Sequence, residues 1–193
     1  GARLLRAPVD PGPEIELLAA GEFQRRNFAL ATTAAEAFLG ELDPAAVARV
    51  AATLTVPGRL ERIAAEPPVL IDAAHNPDGA RALAEALPAA AAGRRVVACL
   101  AVLADKDAAA MVAALAPVLD RAICTESPAP RAVLPADELA AVCAQAGLLA
   151  EAEPDFARAL QRARELAAEP PSGVVLVAGS HYSIAPARAA LHL

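Results

Sequence analysis

Residues 69–77, Val-Leu-Ile-Asp-Ala-Ala-His-Asn-Pro, decide the fold class. The stretch at residues 69–73, which is apolar apart from Asp72, is typical of a strand that is buried in a parallel sheet. Asn76 and Pro77 then supply a helix N-cap and a proline for the first helical turn, so a helix is expected to follow directly. A short buried strand that passes at once into a helix is the building block of α/β folds.

The same alternation continues along the rest of the chain. Further strands are predicted at residues 95–103, 121–125, 148–151 and 174–178. The intervening helices are predicted from their boundary residues, which are Pro88 at the end of the first, Asp107 at the start of the second and Gly147 at the end of the third. A fourth helix is predicted at residues 154–168, and a last one after Gly179-Ser180. Five strand–helix units in a row predict a Rossmann-like α/β fold, with a mostly parallel sheet and helices on both faces.

The first 56 residues follow a different pattern. A helix is predicted near residues 24–38, and Asp43-Pro44 starts a second one. Pro57-Gly58 then interrupts the pattern. We therefore place a boundary there, with a short helical segment at residues 1–56 and the α/β domain at residues 57–193.

Composition excludes several classes of partner. The 193 residues carry a formal net charge of −6 and only 3% aromatic residues, which argues against nucleic-acid binding because that needs basic charge and stacking rings. The longest apolar runs, at residues 96–104 and 108–119, are shorter than the roughly 18–20 residues of a membrane-spanning helix. The three cysteines lie in apolar surroundings without Cys-x-x-Cys spacing, which is typical of reduced thiols in a cytoplasmic protein.

The rarest polar residues fall at the predicted ends of strands. The chain has one lysine (Lys106), one tyrosine (Tyr182) and two asparagines, of which Asn76 lies in the α/β part. These three residues follow three different strands, and the carboxyl ends of parallel strands meet at one edge of a sheet, where ligands bind. The sequence therefore predicts a ligand site at this edge.

Three residues at this edge, Asn76, Asp72 and Lys106, also have a purely structural explanation. Asn76 could serve only as a helix cap, Asp72 could be a surface acid, and Lys106 could form a solvated pair with its acidic neighbours. A metal site made of Asp72, His75 and His181 lacks the usual tight ligand spacing. The chain contains no glycine-rich dinucleotide fingerprint and no P-loop. Gly179-Ser180 offers backbone N–H groups to an anion but is not the Gly-x-Ser-x-Gly elbow of a hydrolase.

Five segments together carry a resemblance to a known family. They are Pro57-Gly58-Arg59-Leu60-Glu61, Ile71-Asp72-Ala73-Ala74-His75-Asn76-Pro77, Val102-Leu103-Ala104-Asp105-Lys106-Asp107, Pro130-Arg131-Ala132 and Gly179-Ser180-His181-Tyr182. In combination they resemble the folylpolyglutamate synthase/dihydrofolate synthase family, which is related to the Mur ligases. Upstream, Gly21 to Asn27 resembles the helix that closes the family's central ATP-binding domain, with Phe23 where the family usually has histidine.

The resemblance implies an ATP-dependent, ADP-forming ligase that adds L-glutamate to folate or dihydropteroate through an acyl phosphate, with ATP and Mg²⁺ as cofactors. The family's P-loop and most of its magnesium ligands lie in its N-terminal and central domains. Residues 1–56 are therefore expected to be the end of the central ATP-binding domain, and residues 57–193 the C-terminal glutamate ligase domain. The chain alone is expected to be inactive, to hold neither catalytic nor metal-ligating residues, and to be monomeric.

The resemblance also implies roles for individual residues. The predicted ATP-binding residues are Asn27, Arg59, Asp72 and His75. The predicted glutamate-binding residues are Asn76, Lys106, Arg131, Ser180 and Tyr182. Two alternatives stay open at this point, namely a Mur-type ligase domain with another acceptor and a non-catalytic module that binds a nucleotide or an amino acid.

Overall fold

The computed structural model describes residues 4–63 and 65–191. The chain forms two compact units, Gly1–Val56 and Pro57–Leu193.

The first unit contains two helices, α1 (Glu22–Leu39) and α2 (Pro44–Thr53). The carboxylate of Asp43 caps α2 by accepting the N–H of Ala45 at 2.9 Å. Arg25 of α1 donates to Asp10 through its Nε at 2.6 Å, which fixes the irregular opening segment against the helix. The two predicted helices of this segment are confirmed.

The second unit is built on a six-stranded sheet. Its strands are β1 (Glu61–Ile63), β2 (Val69–Ile71), β3 (Val96–Leu100), β4 (Arg121–Cys124), β5 (Ala150–Ala152) and β6 (Val174–Ala178). Their order in the sheet is β1-β2-β6-β3-β4-β5. Only β1 is antiparallel to its neighbour, and the other four pairings are parallel. The predicted α/β fold with a mostly parallel sheet is confirmed.

Four α-helices connect the strands in the described part of this unit, and a fifth follows β6. They are α3 (Pro77–Ala90), α4 (Ala108–Leu115), α5 (Ala136–Gln145), α6 (Phe156–Ala168) and α7 (Ile184–Ala190). The chain moves in one direction across the sheet from β2 to β5 and then returns to β6. Because parallel crossovers are right-handed, this reversal places α3, α4 and α5 on one face of the sheet and α6 on the other. Helix α7 packs against α6.

The core lies on both faces of the sheet. Every residue of β2, β3 and β6 is buried. Successive side chains of a strand point to opposite faces, and one alternate set forms a cluster with α6 that includes Val69, Val97, Val175 and Leu160. The intervening residues, such as Leu70 and Leu176, are buried on the face of α3 and α4.

One strand was missed, and several predicted boundaries are wrong, including those of the strands at residues 69–73 and 148–151, which are Val69–Ile71 and Ala150–Ala152. Strand β1 was not predicted, because three residues that include the polar Glu61 and Arg62 give no recognisable period. Pro88 does not end α3, which runs on to Ala90, because a proline in the last turn removes only one hydrogen bond. Strand β3 ends at Leu100, three residues before the predicted end at residue 103. Helix α6 begins at Phe156 rather than at residue 154, because Asp155 is its N-cap.

Candidate functional site

The predicted site residues of the second unit lie at one edge of the sheet. Four adjacent parallel strands, β2, β6, β3 and β4, end at this edge. The loops that follow them carry the residues Asp72 to Asn76, Ser180 to Tyr182, Lys106 and Arg131, in that order of strands. The chain leaves β2 and β6 toward helices on opposite faces of the sheet. Such a point is where open α/β sheets form a ligand crevice.

Gly179 brings three of these loops into contact. Its φ is +100°, in the region that favours glycine. Its N–H donates to the carbonyl of Ala74 at 3.1 Å, which ties the loop after β6 to the loop after β2. A Cβ at this position would lie 2.4 Å from the carbonyl oxygen of Ala101 in the loop after β3. The close approach of the three loops therefore requires glycine here.

Asp72 fixes the turn that carries Arg59. Its side chain is 3% exposed. One carboxylate oxygen accepts the N–H of Ala74 at 2.8 Å, and the other accepts the N–H of Leu60 at 2.9 Å. Burial raises the pKa of Asp72, and the backbone hydrogen bonds and the nearby Arg59 offset only part of this effect. A ribose contact would have to use a second lone pair of these oxygens, and it stays a prediction.

The turn at residues 57–61 presents Arg59 between two buried neighbours. Gly58 has φ +67° and Leu60 has φ +47°, and both residues are buried. The carbonyl of Gly58 accepts the N–H of Ala73 at 2.7 Å. Arg59 itself is half-buried, and within the described part of the chain its guanidinium forms no hydrogen bond or ion pair. It therefore has all its donors available for an anion.

A row of three rings crosses the edge of the sheet. Nδ1 of His75 lies 2.9 Å from the carbonyl oxygen of Ala73, so we assign the proton to that nitrogen. The ring of His181 meets the ring of His75 edge-on at 5.8 Å between centroids. The same ring lies 4.1 Å from the ring of Tyr182. His181 thus joins a residue predicted on the nucleotide side to one predicted on the glutamate side, a role that the sequence analysis did not assign to it.

Asp105 connects the two predicted glutamate-binding cations. Its Oδ2 lies 3.5 Å from Nζ of Lys106 and 2.5 Å from a guanidinium nitrogen of Arg131. Partial desolvation raises the pKa of Asp105, but the charges of Arg131 and Lys106 outweigh it and hold the pKa below its ordinary value. The two loops meet because Leu103 and Val133 form an isolated antiparallel bridge.

Asn76 and Ser180 both bond to the start of a helical turn. The side-chain oxygen of Asn76 accepts the N–H of Gly79 at 2.7 Å, so the capping interpretation is correct for this atom. Ser180 is 1% exposed, and its Oγ accepts the N–H of Tyr182 at 3.2 Å. The N–H of Ser183 donates to the carbonyl of Ser180. The predicted anion site after Gly179 therefore has fewer donors for a ligand, because the N–H groups of Tyr182 and Ser183 are already bonded. The amide nitrogen of Asn76 and the hydroxyl hydrogen of Ser180 remain for a ligand.

Asn27 belongs to the first unit. It lies on α1, is exposed, and donates from its side-chain amide to Gln24 at 3.0 Å. Its side chain therefore keeps an acceptor oxygen and one N–H for a ligand. Its predicted contact with ATP stays a prediction.

A cavity of about 630 Å³ lies beside this edge of the sheet. It is lined by the loop after β4 and by residues from the first turn of α6 and from α7. Of the predicted site residues, only Arg131 lines it. The other predicted residues lie outside this cavity.

Among residues 4–63 and 65–191, no group of three or more His, Cys, Asp or Glu side chains is placed to hold a metal ion. Within the same ranges, no helix has the length and apolar character needed to cross a membrane.

Comparison with known proteins agrees with this arrangement. The family described as "Mur ligase, glutamate ligase domain" matches residues 58–181. Dihydrofolate synthase/folylpolyglutamate synthase of Mycobacterium tuberculosis is 47% identical over 118 residues, which is 58% of this chain and 24% of that protein. The chain thus spans about a quarter of the length of this curated relative.

Solved structures show the same similarity. The structure of Mycobacterium tuberculosis folylpolyglutamate synthase complexed with ADP and AMPPCP is 38% identical, with a TM-score of 0.83 over 90% of this chain and 41% of that chain. A bifunctional folylpolyglutamate synthase/dihydrofolate synthase with Mn, AMPPNP and L-glutamate bound is 27% identical, with a TM-score of 0.72 over 98% of this chain and 42% of that chain.

Proposed function

The chain belongs to the Mur ligase family, in which it matches the glutamate ligase domain, and from this premise we propose that it is the C-terminal part of an ATP-dependent, ADP-forming ligase that adds L-glutamate to folate or dihydropteroate. One observation carries the proposal. A single carboxylate oxygen, that of Asp105, reaches both Lys106 and Arg131. The two cations are thus spaced to hold one carboxylate, and glutamate supplies two.

On the glutamate side, Lys106 and Arg131 hold one carboxylate of the substrate. Lys106 acts as a compact point charge, and its side chain is 26% exposed. Arg131 is half exposed and adds planar donors. The hydroxyl of Ser180, the amide of Asn76 and the ring of Tyr182 face the rest of the amino acid from the neighbouring loops.

On the nucleotide side, Arg59 is the residue that meets the phosphates of ATP. Its guanidinium, which has no partner among residues 4–63 and 65–191, suits phosphate, and the relative from Mycobacterium tuberculosis is complexed with ADP and AMPPCP. His75 orients the nucleotide with its free ring nitrogen, Asp72 meets the ribose, and Asn27 meets the base. The ligands of Mg²⁺ are proposed to lie mainly in further domains of the ligase, as the resemblance to the family implies.

The chemistry that this chain contributes is positioning and charge neutralisation. ATP, when bound, supplies the phosphoryl group that activates the acceptor carboxylate. The residues of this chain hold the glutamate and keep its charge compensated, so that its amine stands close to the activated carbonyl carbon. No residue of the chain forms or breaks a bond, and the chain alone is therefore inactive.

We assign residues 1–56 to the end of a central ATP-binding domain. The exposure of apolar side chains supports this assignment. Of the ten large hydrophobic side chains that are exposed in the described chain, nine lie in this segment, and Phe38 is 88% exposed. An apolar surface of this kind on a small unit suits contact with further protein. The ligase as a whole is proposed to be a cytoplasmic monomer with no nucleic-acid or membrane partner.

Steady-state kinetics of the longer protein test the proposal. Lys106→Ala is expected to raise the KM for glutamate by about a hundredfold, because a charge-assisted contact to a carboxylate is lost. The KM for ATP is expected to change less than about twofold. The matched control is Arg158→Ala, which removes an exposed cation of α6 and is expected to leave both values unchanged. Equal effects of Lys106→Ala on both substrates would contradict the proposal.

Two simpler observations separate the alternatives. A P-loop encoded upstream of Gly1 would support a ligase, whereas its absence would favour a module that only binds a nucleotide or an amino acid. A panel of acceptors tests the other alternative. Activity with folates or dihydropteroate, and none with peptidoglycan precursors, would favour the folate branch of the family.

A further inference from the structure

The last helix of the chain is joined to the turn that carries Arg59. Arg188 of α7 forms an ion pair with Oε1 of Glu61, although the two residues are 127 positions apart. The other oxygen of Glu61 accepts the N–H of Gly58 at 2.9 Å. One carboxylate therefore connects a guanidinium of the last helix to the backbone of the turn.

A second contact reinforces this connection. Gly58 is buried with φ +67°, and a Cβ there would lie 2.3 Å from Cδ1 of Ile184. Ile184 and Arg188 are four residues apart and lie on the same face of α7. Helix α7 thus packs directly on the backbone of the turn. The ion pair of Arg188 with Glu61 connects the helix to the same turn.

The opposite side of the turn is fixed by the sheet. The N–H of Leu60 donates to Asp72, and the carbonyl of Gly58 accepts the N–H of Ala73 at 2.7 Å. Leu60 is therefore fixed by Asp72 in the loop after β2. Gly58 is fixed both by Ala73 in the same loop and by α7. The backbone of Arg59 has little freedom, while its guanidinium forms no hydrogen bond or ion pair with the described residues.

We propose that Glu61 and Arg188 are positioning residues that hold the turn so that Arg59 can bind a nucleotide phosphate. The inference rests on the proposed phosphate contact of Arg59. Holding the turn before binding removes an ordering cost that the ligand would otherwise meet. Removal of the ion pair frees the Gly58 end of the turn, and the affinity for phosphate falls although Arg59 is still present.

The test is a titration of the 193-residue chain with ADP, followed by amide and phosphorus NMR up to about 10 mM ligand. Arg59→Ala is expected to weaken ADP binding by about tenfold. Arg188→Met and Glu61→Gln are expected to weaken it by about fivefold and to speed the hydrogen exchange of the Gly58 amide. Arg188→Lys keeps the charge and is expected to recover about half of the lost affinity, on a logarithmic scale.

The control is Arg162→Met. It removes another arginine–glutamate pair of comparable exposure, that of Arg162 with Glu151, which does not touch the turn. It is expected to leave ADP binding unchanged. If Arg188→Met fails to fold, Glu61→Gln and Arg188→Lys still give the comparison.

The outcomes separate the two proposals. Binding that weakens with Arg59→Ala but not with Arg188→Met or Glu61→Gln would overturn the positioning role and leave the proposed phosphate contact in place. Binding that is insensitive to Arg59→Ala, or no binding by the unmodified chain, would overturn both. An equal loss in Arg188→Met and Arg162→Met would reduce Arg188 to a structural role.

Discussion

The carboxylate of Asp72 accepts the backbone N–H of Leu60 at 2.9 Å, across 12 positions of sequence. Leu60 has φ +47°, a conformation that residues other than glycine rarely adopt. The hydrogen bond thus stabilises an unfavourable backbone conformation next to Arg59. The second oxygen of Asp72 is bonded to the N–H of Ala74, so neither N–H can lose its acceptor without a cost.

Asp72→Asn is expected to lower the free energy of unfolding by about 1–3 kcal/mol, because an amide has one acceptor oxygen and leaves one buried N–H without a partner. Urea unfolding of the 193-residue chain measures this change. Asp78→Asn, on the exposed start of α3, removes the same charge and is expected to change the stability by less than about 0.5 kcal/mol. Equal stabilities of the two variants would show that the carboxylate of Asp72 does not hold the turn.

The pKa of Asp105 should depend on Arg131 and on glutamate. The two cations hold this pKa below its ordinary value of 3.8. The ion pairs therefore contribute stability that is present above about pH 3.8 and is lost as the pH falls through the lowered pKa. Arg131→Ala is expected to raise the pKa of Asp105 toward 3.8, because one cation is removed.

Bound glutamate is also expected to raise the pKa of Asp105, since its carboxylate draws the cations away from Asp105 and adds a negative charge beside it. Carbon NMR of the side-chain carboxyl, recorded as a pH titration with and without glutamate, measures both shifts. A pKa of Asp105 that does not respond to glutamate would argue against a carboxylate site at Lys106 and Arg131. Glutarate, which is glutamate without its amine, serves as the control for recognition of the amine.

Gly179→Ala is expected to destabilise the chain by about 3 kcal/mol or more, because its Cβ would meet the carbonyl of Ala101 in addition to the cost of the left-handed backbone. Gly147→Ala isolates the backbone cost alone. Gly147 has φ +77°, and a Cβ there has nothing within 4 Å. A loss of about 1 kcal/mol is expected for it in the same unfolding measurement. Equal losses would mean that the three loops can move apart.

Much of the architecture could be predicted from local sequence. The buried strands are short apolar runs, and the caps Asn76 and Asp107 do bond to the N–H groups of Gly79 and Ala110. The placement of Lys106 and Tyr182 at one edge of the sheet then follows from the connectivity of parallel strands. These features depend on residues that are close in sequence or on a general rule of topology.

The contacts between segments that are far apart in sequence could not be predicted from local patterns. The pairing of Asp105 with Arg131 spans 26 positions and needs the bridge between Leu103 and Val133, which has no sequence signal. The pairing of Glu61 with Arg188 spans 127 positions. Asp105 and Arg131 lie in loops, whereas Glu61 lies in β1 and Arg188 in α7, and in both pairs the relative position of the two residues is set by tertiary packing. They are also the contacts that give the candidate site its charge arrangement.

The three cysteines are expected to resist alkylation in the native chain. Cys99, Cys124 and Cys143 are all buried, and the Sγ atoms of the last two lie 3.7 Å apart. Burial raises the pKa of Cys99 to about 12, and the hydrogen bond with Cys143 together with burial raises the pKa of Cys124. The same hydrogen bond lowers the pKa of Cys143, but this thiol is buried like the other two. Because burial keeps the reagent away from all three thiols, iodoacetamide at about pH 8 should modify them only after unfolding.

Mass spectrometry after timed exposure to iodoacetamide measures this protection. Leu149→Cys provides the internal standard, because residue 149 is 64% exposed and its thiol should react in the native chain at the rate of a free cysteine. Protection of the native cysteines then reports how often the core opens. Fast modification of Cys124 or Cys143 under native conditions would mean that α5 separates from β4, and with it the loop that carries Arg131.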